Sequence, residues 1–129
     1  LVADRHAAVS ADAIDPARFL GRPARIGEIE WFASAEDLVR VLDWLRRHGG
    51  EEALAILAIS PGGPADLRND FAYIGYKGGS EPGVLNLSWL VRTEGGEWYA
   101  VTGSWNDPEA ALDEARFAAL MRRALQLVR

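Results

Sequence analysis

Three runs decide the fold: Phe71-Ala72-Tyr73-Ile74-Gly75-Tyr76-Lys77, Val84-Leu85-Asn86-Leu87-Ser88-Trp89-Leu90-Val91-Arg92-Thr93, and Glu97-Trp98-Tyr99-Ala100-Val101-Thr102-Gly103-Ser104. Each is rich in aromatic and β-branched residues, which suit a pleated, half-buried surface. In the second, Leu85, Leu87 and Trp89 alternate against Val84, Asn86, Ser88 and Leu90, the period of two that sends the sets to opposite faces of a sheet. Glu94-Gly95-Gly96 parts the second run from the third. Consecutive glycines accept the positive φ angles of a tight hairpin. Three sequential strands with short turns read as an antiparallel meander.

Downstream the period changes. Phe117, Leu120, Met121, Ala124, Leu125 and Val128 recur at helical spacing, an apolar stripe that packs a terminal helix on the sheet. Asp107-Pro108-Glu109 reads as its cap and first turn. Upstream, Ser34-Ala35-Glu36-Asp37 offers a capping hydroxyl followed by first-turn carboxylates. Leu38, Val41, Leu42 and Leu45 then mark one face of a helix that Gly49-Gly50 stops. A second helix is expected from Glu51 to about Ile59, ended by Ser60-Pro61-Gly62-Gly63-Pro64. Residues 1–33 read as irregular, with a short helical stretch after Asp15-Pro16. The expectation is an α+β chain forming a single domain or a fragment of one, with helices over 34–60 and the sheet plus C-terminal helix over 71–129.

Composition narrows the function. The chain has 129 residues, 49% hydrophobic and 26% charged, a globular balance. A chain of this size buries roughly two-thirds of its unfolded surface, enough for a core without staples. There is no cysteine, so disulfides, thiolate metal sites and a cysteine nucleophile are excluded together. A net charge of −5 argues against nucleic acid, which needs a basic surface to displace counterions. No apolar run has the length of a membrane helix. The chain starts at Leu1, so any signal peptide would lie upstream. Of the 14 basic residues only Lys77 is a lysine.

His6 and His48 are the only histidines. His48 ends a helix, where a cation is favourable in any case, and no metal-ligand spacing or cofactor motif appears. Glu28 and Glu30 flank a loop before Trp31; each suits either a general base or a capping carboxylate. The end of the first strand is richer in chemistry. Lys77-Gly78-Gly79-Ser80 sets a cation beside backbone N–H groups that glycine leaves open to a ligand. A cation with backbone donors suits a carboxylate and a developing oxyanion. A plain polar turn fits the same residues.

From Lys77 through the two following strands to Leu112-Asp113-Glu114, together with Trp31-Phe32-Ala33-Ser34 upstream, the chain resembles the C-terminal part of class A β-lactamases and related penicillin-recognising serine hydrolases. That family uses a serine in S-x-x-K as nucleophile, an S-D-N-type motif across the cleft, and a lysine-Thr/Ser-glycine motif on the edge strand. The resemblance implies that Lys77 helps hold a substrate carboxylate and that Gly79 permits close approach. It also implies that the backbone N–H of Ser80 is one oxyanion-hole donor. Gly78 stands where the family has a hydroxyl that contacts the substrate. None of the six serines is followed by lysine three residues on, and Ser104-Trp105-Asn106 comes after the lysine motif rather than before it.

The expected function is therefore the C-terminal portion of a β-lactamase-like serine hydrolase, inactive alone. Its ligands would be β-lactams, D-Ala peptides or esters, with no cofactor, no metal and an extracytoplasmic setting. The alternatives are a non-catalytic domain binding a peptide or cell-wall fragment along the Phe71–Lys77 edge, and a plain α+β interaction module. The family's sheet has five strands, so strand 97–104 should be an open edge that invites a homodimer or a companion segment from the missing N-terminal half.

Overall fold

The structure is a computed structural model that describes residues 21–29, 31–63 and 65–129. His6, Glu30 and the Asp15-Pro16 stretch lie outside these residues. The order of elements is α1 (Ala35–His48), α2 (Gly50–Leu57), a 3-10 helix (Ala65–Asp70), β1 (Tyr73–Glu81), β2 (Val84–Arg92), β3 (Trp98–Asn106) and α3 (Glu114–Gln126). The strands form one antiparallel sheet in the order β1-β2-β3. The α+β architecture with a three-stranded meander and a C-terminal helix is as the periodicities require.

Boundaries moved where glycine misled. Lys77 lies in β1 as read, and Gly78, Gly79 and Ser80 also lie inside it rather than in a turn after it, the four paired with Ser88, Leu87, Asn86 and Leu85. The turn comes later, at Pro82-Gly83, where Gly83 has φ 79°. Proline at the first central position and glycine at positive φ in the second meet the needs of a type II turn. Glycine lacks strand propensity but does not oppose an extended conformation, and nine consecutive cross-strand pairs hold it there. Asp107 is a second correction. Its Oδ1 accepts from the N–H groups of Glu109 and Ala110 at 2.8 and 3.1 Å, closing a local turn. The cap of α3 is Asp113, which accepts from the N–H of Arg116 at 2.9 Å.

The hairpin between β2 and β3 sits at the glycine pair. Thr93 and Glu97 close it through Thr93 N–H to Glu97 O at 2.9 Å, and Gly96 has φ 96°. Hydrogen bonds from the Thr93 hydroxyl and from its own backbone hold the Glu97 carboxyl below the usual range.

Alternation assigns the two faces of the sheet. Leu85, Leu87, Trp89 and Val91 face α3 and the 3-10 helix, forming one core with Leu67, Phe71, Ile74, Phe117, Met121 and Leu125. The opposite face carries the paired rows Tyr73–Arg92–Trp98, Gly75–Leu90–Ala100, Lys77–Ser88–Thr102 and Gly79–Asn86–Ser104. Helices α1 and α2 cover the first two of these rows. Tyr73 Oη donates to the Leu54 carbonyl at 2.9 Å, its ring lies 5.2 Å from that of Trp98, and the Arg46 guanidinium sits 5.9 Å over Trp98. Two residues of the expected helix stripes are exposed, Val41 by 54% and Leu120 by 63%, while Leu38, Leu45, Ala124 and Val128 are half-buried. Val41 and Leu120 each flank a stripe whose centre, Leu42 or Met121, is buried.

Helix α1 starts with a capping box. Ser34 Oγ accepts from Asp37 N–H at 3.1 Å and Asp37 Oδ2 accepts from Ser34 N–H at 2.9 Å. These bonds, led by that from the Ser34 hydroxyl at 2.7 Å, hold the Asp37 carboxyl below its ordinary value. Ser34→Ala removes the acceptor for one otherwise orphaned N–H and is expected to cost about 1 kcal/mol. Urea unfolding of the two proteins measures it.

Candidate functional site

Because α1 and α2 cover only half of their sheet face, the other half stands open among the described residues. Its centre is the row Lys77–Ser88–Thr102 and its margin the row Gly79–Asn86–Ser104. Lys77, Gly79 and Ser104 are exposed, while Ser88 is buried at 4%. A polar side chain that deep needs partners, and it has them. Ser88 Oγ donates to Asn86 Oδ1 at 2.8 Å and lies 2.7 Å from Thr102 Oγ1. A hydroxyl has one proton, so Thr102 donates to Ser88. Asn86 Nδ2 donates in turn to the Gly103 carbonyl at 3.0 Å and to Ser104 Oγ at 2.8 Å. The chain of bonds therefore runs Thr102, Ser88, Asn86, Ser104, and the Ser104 proton at its exposed end is left to a ligand or to water.

This ladder escaped the sequence reading, which took Asn86 and Ser88 only as the polar half of an alternation. The signal was there, since Thr102 and Ser104 alternate in the same way. Joining the two pairs requires the register, which no single strand carries.

The lysine motif borders the ladder. Lys77 Nζ donates to the Gly78 carbonyl, and no bond ties it to a carboxylate among the described residues. A Cβ added to Gly79 would meet nothing within 4 Å, so a ligand can lie against the backbone there. Gly78 is the reverse case: a Cβ on it would collide with Tyr76 Oη. The phenol thus stands in the space that a side chain at position 78 would enter. Burial raises the Tyr76 pKa above the ordinary tyrosine value, so the group is a neutral donor at physiological pH. Ser80 is exposed and pairs with Leu85.

No protein-family model and no curated protein matches this chain.

The remaining candidates are occupied elsewhere. Glu28 pairs with Arg25 at 2.6 Å, both exposed, an arrangement of loop closure. His48 ends α1 and lies 5.4 Å from the Trp44 ring. Among the described residues no three His, Cys, Asp or Glu side chains are grouped to hold a metal ion, and no helix is long and apolar enough to cross a membrane. What the open half-face can do is bind. Among the described residues it offers one cation at Lys77, a free hydroxyl proton at Ser104 and an accessible glycine backbone at Gly79. That set suits a carboxylate-bearing ligand with amide or ester groups.

Proposed function

We propose that the chain is the substrate-recognising C-terminal portion of a β-lactamase-like serine hydrolase, binding an anionic acyl compound along β1. The observation that carries this is the open half-face itself, where Lys77 borders the hydroxyl-amide ladder and Gly79 leaves the backbone bare. Lys77 attracts the ligand carboxylate, Gly79 permits approach, and the backbone N–H of Ser80 is the oxyanion donor that the resemblance implies. The parent reaction is acyl transfer from a β-lactam, D-Ala peptide or ester to a serine supplied by another segment, then to water. Without S-x-x-K this chain binds and does not turn over.

Incubation with a penicillin should leave the intact mass of the chain unchanged, and likewise with a fluorophosphonate. In the same sample penicillin should shift the backbone amide signals of Lys77 to Ser80 saturably. A covalent adduct would mean that a serine here is activated without the family's lysine, and a spectrum with no shift in that stretch would remove the recognition role. The second reading is a non-catalytic module binding a peptide or cell-wall fragment on the same strand; the missing nucleophile favours it, and saturable binding of a peptide but not of penicillin would select it.

The partner reading concerns β3. Its sequence, Trp98 to Asn106, carries no charge and no proline, the devices that usually blunt an edge strand. A groove of about 490 Å³ runs beside it, lined by Ala35 and Val39 of α1 and by Ala124 and Val128 on the α3 side. Exposed Trp31, Phe32, Trp44 and Ile56 add apolar surface without a cover among the described residues. A fourth strand, from a second copy or from a companion segment, fits that edge. Sedimentation of the isolated chain should show concentration-dependent association that Tyr99→Lys reduces. A monomer at every concentration would count against the second copy.

A further inference from the structure

The face of the sheet opposite Lys77 holds a separate cavity. Helix α3, packed on β2 and β3, and the 3-10 helix, beside β1, meet above β2 and are tied by two ion pairs, Arg122–Asp66 at 3.3 Å and Arg129–Asp70 at 3.2 Å. Between them the residues are small, with Ala118 and Ala119 on one wall and Gly62-Gly63 on the other. They leave a cleft of about 260 Å³ whose floor is Leu87, Trp89 and Leu125. Each floor residue is at least nine-tenths buried, so the cleft reaches into the core. Among the described residues its walls are apolar apart from one charged group, Arg122.

Water in such a space is poorly served, because apolar walls give it few of the two to four partners it needs. An apolar cleft with one convergent polar group is the usual form of a small-molecule site. The polar group sets the ligand class. Arg122 meets Asp66 through a single long contact, with the two side chains 43% and 63% exposed. Exposed single-contact pairs of this kind contribute little, whereas a carboxylate brought by a ligand can engage a guanidinium through two parallel bonds. At roughly 30 Å³ for each water-sized group the cleft admits about nine.

We propose that this cleft binds a medium-chain monocarboxylate, its alkyl chain over Leu87 and Trp89 and its carboxylate on Arg122. The site does not depend on the acyl-ligand reading of β1, because it lies on the other face of the sheet and shares no residue with that site.

The test uses octanoate and octanol as probes, with the indole N–H of Trp89 and the methyl groups of Leu125 as reporters in NMR titrations. Octanoate should shift these signals saturably in the millimolar range or below. Ala118→Leu places a good helix former at an exposed helical position, keeps the fold and fills the cleft, and should abolish the shifts. Arg122→Gln should weaken octanoate about tenfold and leave octanol unchanged. Asp66→Asn releases the guanidinium and should strengthen octanoate. Absence of saturable shifts at Trp89 and Leu125, or shifts that survive Ala118→Leu, would overturn the site. Octanoate affinity that ignores both Arg122→Gln and Asp66→Asn would overturn the assignment of the carboxylate.

Discussion

Truncation of Leu125 to alanine is expected to destabilise the fold by about 2–5 kcal/mol, the range for emptying a core leucine site. Leu125 is 1% exposed and sits with Phe117 and Met121 on the face of α3 that packs against β2. Domains of this size are stable by only about 5–15 kcal/mol, so a loss at the upper end removes between a third and all of the stability. The neighbouring Leu127 is 76% exposed, and Leu127→Ala should shift the urea midpoint hardly at all. Two leucines two residues apart then report whether α3 docks in this register. Equal effects of the two substitutions would mean that the helix is rotated, and with it the whole core below β2.

Much of that core was legible from spacing alone. The alternation of Leu85, Leu87 and Trp89 picks the buried face of β2, and Phe117, Met121 and Leu125 pick the buried face of α3, because each period is local to one element. Caps were legible where a side chain binds within three residues, as at Ser34. Asp107 shows the limit: an aspartate before Pro108 suits either a helix cap or an isolated turn, and the choice depends on how far the chain must travel before α3 can reach the sheet. Leu120 and Val41 show another. A stripe wide enough for a domain core predicts burial at its margins, but burial is decided by how wide the neighbouring surface is, and a three-stranded sheet is narrow.

The candidate site was legible as a motif and illegible as a place. Lys77-Gly78-Gly79-Ser80 drew attention through its residue types, yet glycine pairs punctuate turns so often that the stretch read as a strand end. Pairing with Leu85 to Ser88 overrides that local signal, since a lost ladder would orphan backbone groups. The ladder of Asn86, Ser88, Thr102 and Ser104 depends on cross-strand register, and the collision of a side chain at 78 with Tyr76 depends on a rotamer. Neither is written in one strand.

Lys77→Ala should weaken penicillin binding on β1 by about tenfold to a hundredfold, the value of a hydrogen bond to a charged group. The fold should be untouched, because Lys77 is exposed and, among the described residues, its Nζ is bonded only to the adjacent Gly78 carbonyl. Lys77→Arg keeps the charge but not the compact ammonium, and should recover part of the affinity. Gly79→Val tests the other half of the argument. A side chain there meets open space, and a β-branched residue favours the strand, so the variant should be at least as stable as the parent. It should nonetheless bind penicillin more weakly, since the new side chain occupies the volume the ligand needs. Isothermal titration with unfolding curves on the same samples separates the two effects. If both variants bind as the parent does, the ligand does not lie on β1, and the open half-face has another occupant. If Lys77→Ala alone loses affinity, the lysine acts by long-range attraction, which rising salt would remove, and the close approach over Gly79 is wrong.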